Sequence, residues 1–116
     1  MKIIYNNYIP SKGYIALNFF GIIFARKEYD PLSGKTINHE AIHTAQMREM
    51  FYLFFYLWYL LEWGIRLIQY RNRKKAYRNI SFEREAYDND DDMEYLKKRS
   101  VWGWWKYLHE KRGLLL

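Results

Sequence analysis

The alternation of apolar and polar positions divides the chain into a short strand-like beginning and a longer helical remainder. Lys2 to Ile9 is rich in Ile and Tyr, and Pro10-Ser11-Lys12-Gly13 ends it as a turn. Tyr14 to Ala25 is a second run of aliphatic, aromatic and β-branched residues, broken by Asn18 and Gly21. A glycine inside such a run marks a bulge or a hairpin bend, so the expectation is a strand or hairpin. Its twelve residues are too few for the ~20 that a membrane span requires. Arg26 to Thr36 contains Asp30-Pro31 and Ser33-Gly34 and reads as a loop, with Thr36 or a neighbour placed to cap the following helix.

From Met50 to Leu61 every residue is apolar or aromatic; Glu62 interrupts, and Trp63 to Tyr70 leads into the basic cluster Arg71-Asn72-Arg73-Lys74-Lys75. A helix apolar on all sides belongs inside protein or lipid. The unbroken run is only 12 residues long and Glu62 would fall near the middle of any longer span, which argues against crossing a membrane. The expectation is a core or dimer helix, with an interfacial membrane helix as the alternative. So small a chain has little with which to cover it, and a homo-oligomer formed through this helix is expected. Glu62 and Arg66, four apart, read as an ion pair on one face. Further on, Ser81 is placed to cap a helix with Glu83 in its first turn. Asp88 to Asp92 lacks the glycine and closing glutamate of a calcium loop and reads as a solvated helix start, with Asp91 and Glu94 as a capping box. Val101 to Leu108 offers an aromatic face for packing.

The fold class expected is α+β in a single domain, residues 1–116: a small N-terminal antiparallel sheet followed by three to four helices. Residues 1–35 would be the strand-rich part, 36–70 the motif helix and the aromatic helix, 71–79 a basic linker, and 80–112 the acidic and aromatic C-terminal helices.

Composition changes this picture in three ways. There is no cysteine, so a metal must be held by His and carboxylate. The net charge of +6 is unevenly spread: Arg66 to Arg84 holds seven basic residues and Glu83 to Glu94 seven of the thirteen acids. The basic cluster has no interleaved aromatics for base stacking, so no nucleic acid partner is expected. The cluster reads first as a solvated loop or helix end and second as an anchor for a membrane surface. The opening Met1 to Tyr5 stretch has neither the apolar core nor the cleavage site of a signal peptide, and the expected location is cytoplasmic, with the inner face of the membrane as a surface for association.

The candidate chemistry lies in Asn38-His39-Glu40-Ala41-Ile42-His43. Residues four apart share one helix face, so His39 and His43 can direct ring nitrogens at one point. Neutral imidazole suits zinc, and catalytic zinc sites use three protein ligands and a water. Glu40 projects to one side, where it can act as base on that water. The third ligand is sought downstream. Glu83 and Glu85 are two apart and face opposite ways; small Ala86, three residues after Glu83, allows close helix approach on the Glu83 side. Glu83 is therefore the first choice. Glu85 is left to solvent or to a bond that steadies a histidine, and Glu62, paired with Arg66, is the second choice as ligand. His109-Glu110 has Gly113 where a second histidine would stand and carries no site.

H-E-x-x-H followed by a helical E-x-x-A resembles the gluzincins, zinc peptidases with two His and one Glu as ligands, and among them the CAAX prenyl protease and heat-shock membrane protease type. The resemblance spans little more than residues 36–90. It implies His39, His43 and Glu83 as zinc ligands, Glu40 as the catalytic base and a peptide or protein substrate. Tyr87 stands where that type has Asp after the alanine, so the bond that this Asp accepts has no obvious acceptor here. The patterns N-H-E-x-I-H-x-x-Q and F-E-R-E-A-Y also resemble a small bacterial family, a likeness that implies no particular activity. The rival expectation is a non-enzymatic module, binding a membrane surface or a protein, in which the motif is structural or vestigial.

Overall fold

The computed structural model describes residues 2–110. Lys111 and Arg112, the last two residues assigned above to the C-terminal helices, lie outside them. Strands β1 (Ile3–Asn6), β2 (Ala16–Phe19) and β3 (Ile22–Arg26) come first, followed by helices α1 (Gly34–Glu49), α2 (Leu53–Tyr70), α3 (Arg73–Arg78), α4 (Ser81–Asn89), α5 (Tyr95–Lys98) and α6 (Trp105–Leu108). This is the α+β arrangement expected. The sheet is mixed rather than antiparallel throughout: β3 lies in the middle, antiparallel to β2 and parallel to β1. The reason is local to the turn after β1. Asn6 Oδ1 accepts from the Tyr8 and Ile9 amides at 2.8 and 2.7 Å, and its Nδ2 donates to Ala25 O on β3 at 3.3 Å. This Asx-type turn carries the chain across the sheet end before β2 begins.

Gly21 does mark a hairpin bend. Phe20 and Gly21 have φ of 53° and 90°, the two-residue turn whose twist matches paired strands. Phe20 tolerates the left-handed region because its N–H donates to Tyr56 Oη at 2.9 Å and its ring packs on Tyr56 and Tyr52. Within the expected loop Ser33 caps α1, its Oγ accepting from the Thr36 amide at 3.1 Å.

Three local expectations are corrected. The apolar run does not begin a helix at Met50: Phe51 and Tyr52 both take positive φ, and α1 and α2 meet at a bend of 110°. No glycine or proline announces that corner; Tyr52 N donating to Met47 O at 2.8 Å and the packing beyond it impose it. The basic linker is a helix, α3, capped by Asn72 Oδ1 accepting from the Lys75 amide at 2.9 Å. The capping box of Asp91 and Glu94 does not form; Asp92 Oδ1 takes the Glu94 amide at 3.0 Å instead. No single helix among the described residues is long and apolar enough to cross a membrane.

The main core is aromatic and joins α1, α2, α4 and α6. Phe55 and Phe82 stack at 4.4 Å and Phe82 meets Trp104 edge-on at 4.8 Å, with Met47, Met50 and Ile80 filling between them. A second small cluster, Ile42 with Ala86 and Tyr95, sits where α4 crosses α1. Ala86 thus permits the close approach expected of it, and α4 is buried continuously from Ser81 to Ala86. Its polar side chains must all find partners there. Ser81 is not the cap, a place taken by Ile80; instead its amide and hydroxyl donate to Glu62 at 2.7 and 2.6 Å.

Gly103 is required by this packing. A Cβ there would stand 2.7 Å from Glu85 Oε2, an atom pinned by Tyr95 Oη at 2.5 Å and Arg99 Nε at 2.6 Å. Gly103→Ala is expected to lower unfolding free energy by about 1–3 kcal/mol, as overpacking of a filled site does. Urea denaturation measures it, and an unchanged midpoint would show that the Glu85 carboxylate moves freely.

Candidate metal centre

Helix α1 presents Asn38, His39, Glu40, His43 and Gln46 to the protein interior, all buried. His39 and His43 stand one turn apart, and α4 brings Glu83 across from the other side. The two Nε2 atoms are 3.2 Å apart, and Glu83 Oε1 lies 3.2 Å from His39 Nε2 and 3.0 Å from His43 Nε2. A tetrahedral ion with bonds of about 2.0–2.1 Å separates its ligand atoms by roughly 3.3 Å. The three donors therefore already lie at nearly the mutual spacing that one small cation imposes. Among the described residues they are the group of His and acid side chains whose donor atoms converge in this way.

The far nitrogens of both rings are held. His39 Nδ1 donates to Asp90 Oδ2 at 3.0 Å and His43 Nδ1 to Gln46 Oε1 at 2.8 Å. The Gln46 amide is oriented by its other end, where Nε2 donates to Phe82 O at 3.0 Å and Glu85 Oε1 at 2.9 Å. With both Nδ1 atoms as donors, each ring when neutral turns its Nε2 lone pair toward Glu83, the tautomer a metal ligand needs. Asp90 is itself fixed by Asn38, whose Nδ2 donates to the carbonyls of Asp90 at 2.9 Å and Asp92 at 3.0 Å. On the remaining side, Tyr59 Oη donates to Glu83 Oε2 at 2.7 Å.

Burial works against the Glu83 carboxylate, yet the two imidazoles beside it hold it well below the usual carboxylate range. Burial likewise opposes charge on His43, but Glu83, with Glu40 and Gln46 adding to its effect, pushes it up to about 9. Burial pushes Glu40 up, and His43 and His39 offset only part of that. A raised carboxylate is better matched to taking a proton near neutral pH.

Of the candidate ligands, Glu83 alone joins the histidines. Glu62 accepts from Arg66 Nη2 at 3.2 Å, the expected pair, as well as from Ser81. Glu85 is fully buried rather than solvated and steadies His43 through Gln46. Arg99 neutralises it, clamped between Glu85 and Glu49 by bonds of 2.6 to 3.0 Å. Asp90 is the correction of most consequence, since the run Asp88 to Asp92 reads as solvated in sequence yet Asp90 is 3% exposed. It supplies the acceptor that Tyr87 does not, taking the His39 Nδ1 proton. Its signal in the sequence is position: seven residues after Glu83, two turns along the same face. Gln46, three residues after His43, and Tyr59, inside the aromatic run, are the other residues that composition conceals.

Two clefts meet at the centre. One, of about 610 Å³, is lined by Tyr14, Leu17, Glu40, His43, Phe55, Tyr77 and Glu83 among others. The second, of about 850 Å³, is more polar and reaches Lys35, His39, Arg73, Lys74, Tyr87 and Asp90. Tyr14, Ala16, Glu40 and Tyr77 belong to both.

Two outcomes are expected of this geometry. Asp90→Ala should weaken divalent metal binding about 10–100-fold, as loss of a bond behind a ligand does, whereas His39→Ala should abolish equimolar binding. Calorimetric titration distinguishes them, and an unaltered affinity in Asp90→Ala would rule out the orienting role. The pH dependence has a definite sign. His43 is held at about 9 against an ordinary 6.5, so in chelator-treated protein its contribution to stability is complete below 6.5 and disappears as pH rises through 9. The Glu83 contribution runs the other way, present above 4.5 and lost in acid. Metal needs the neutral ring, so metal affinity should climb over the same interval from 6.5 to 9 in which chelated protein loses stability. Affinity independent of pH across that range would contradict the His43 assignment.

Comparison with known proteins finds no family model, curated protein or solved structure that matches this chain. The centre is accordingly defined by its own donor atoms: two imidazoles and a carboxylate, buried, mutually spaced for one metal ion and individually braced.

Proposed function

We propose that the protein is a zinc-dependent hydrolase that cleaves an amide bond in an extended peptide or protein segment. The observation that carries this reading is the convergence of His39, His43 and Glu83 beside Glu40, a buried carboxylate at the junction of two clefts. Two imidazoles and a carboxylate suit zinc, and the likeness to gluzincins in the H-E-x-x-H and E-x-x-A motifs agrees with it. Bound there, zinc would supply Lewis acidity to a water and to the scissile carbonyl.

The protein's own groups account for the rest. Glu40, its affinity for protons raised by burial, takes the proton of the attacking water and returns it to the departing amine. Tyr59 holds Glu83 from behind and keeps its Oε1 aimed at the histidines. Tyr77 lines both clefts with its hydroxyl 3.0 Å from that of Tyr87, and is the donor we assign to the developing oxyanion. β2 is an edge strand, and Ala16 and Leu17 line the apolar cleft, so an extended segment can add to the sheet beside the metal.

Glu40→Gln should retain zinc and lower kcat about 10²–10⁴-fold on any cleaved peptide, the usual worth of a positioned base. Tyr77→Phe should lower kcat about 10²-fold with KM little changed. A peptide library scored by mass spectrometry supplies the substrate. Hydrolysis that survives Glu40→Gln undiminished with zinc in place would refute the assignment.

A further inference from the structure

Helix α2 has a second face that the core does not use. Leu53, Leu57, Leu60, Leu61, Ile65 and Ile68 are between 53% and 80% exposed. At 100° per residue they fall, with Phe54, within an arc of roughly 140° that contains no polar side chain, only Gly64 besides. The arc runs about 22 Å along the helix. The only carboxylate of α2, Glu62, and its arginine, Arg66, are buried on the opposite side. A single-domain protein rarely leaves so continuous an apolar surface to water without a partner.

The charges beside the stripe identify that partner. α2 ends at Tyr70, and Arg71, Arg73 and Lys74 follow, all exposed and without an ion-pair partner among the described residues. We propose that the outer face of α2 docks on an anionic lipid surface, with its apolar arc among the acyl chains and this basic end at the headgroups. A recess of about 370 Å³ beside the arc, walled by Phe51, Phe54, Trp58 and Trp102, would be filled by fluid chains without a matching knob. A second copy fits less well. Two α2 helices packed antiparallel would set each basic end near the other's Phe51 and Leu53, where the nearby carboxylate, Glu49, is already taken by Arg99 at 2.8 and 3.0 Å. Anionic lipid supplies the missing counter-charge. This inference is independent of the hydrolase reading.

Cosedimentation of the full chain with vesicles tests it. Phosphatidylcholine vesicles containing about one-third phosphatidylglycerol should bind at least tenfold more tightly than pure phosphatidylcholine at low salt, and high salt should erase the difference. Leu57→Glu with Leu61→Glu should abolish binding to both, and Arg73→Glu with Lys74→Glu should abolish only the preference for the anionic vesicles. Circular dichroism and urea midpoints verify that the variants, altered at exposed positions, remain folded. Vesicle binding no greater than a vesicle-free control would overturn the proposal, as would an anionic preference that survives Arg73→Glu with Lys74→Glu. So would a dimer in sedimentation equilibrium that Leu57→Glu dissolves while wild type ignores vesicles; that result would assign the face to a second copy.

Discussion

A carboxylate removed from water must be compensated, and the structure is arranged around compensating Glu83. Its two oxygens are divided between two imidazole nitrogens and one phenol. The same enclosure brings both Nε2 atoms within 3.2 Å of each other, an arrangement unfavourable to two neutral lone pairs. What relieves both difficulties is positive charge at their common centre. A proton on His43 supplies some of it, which is why that ring is pushed up to about 9; a metal ion held by the three donors would supply more. A metal ion held there would therefore compete with the proton for one place, and Asp90 and Gln46, behind the histidines, would favour the metal by fixing each ring with its Nε2 inward.

That geometry depends on how α4 is held. Ser81 to Ala86 is buried without a break, an unusual position for a segment containing two glutamates and an arginine. Each has separate compensation: Glu83 in the histidines, Glu85 in Arg99, Gln46 and Tyr95, and Arg84 in Tyr107 O at 2.7 Å and Glu110 O. Phe82, stacked on Phe55 and edge-on to Trp104, sets the depth and rotation of the helix. Polar pairing specifies the register and aromatic packing provides the burial, so a shift of α4 by one residue would forfeit both.

Helix α2 serves two environments. Its inner face supplies Phe55 to the core, Tyr59 to Glu83 and Glu62 to the start of α4, while its outer face is apolar with no polar function at all. The 110° corner at Phe51 and Tyr52 makes this possible, since a straight continuation of α1 would carry Phe55 and Tyr59 away from α4. Two non-glycine residues in the left-handed region are the cost of that corner.

The sequence alone determined the local features: the hairpin bend at Gly21, the helix carrying both histidines at a spacing that places them on one face, the pairing of Glu62 with Arg66, and Glu83 as the acid on the Ala86 side of its helix. These rest on periodicity and on the chemistry of neighbouring residues, which are properties of short stretches. Tertiary structure decided the parallel placement of β1, the corner inside an unbroken apolar run, the burial of Asp90 within an acidic segment, and the roles of Gln46, Tyr59 and Glu85. In each case the deciding contact joins residues far apart in the chain, such as Asn38 with the Asp90 carbonyl or Tyr59 with Glu83. Composition reports that an aspartate is polar; only the fold determines whether water or a histidine stands opposite it.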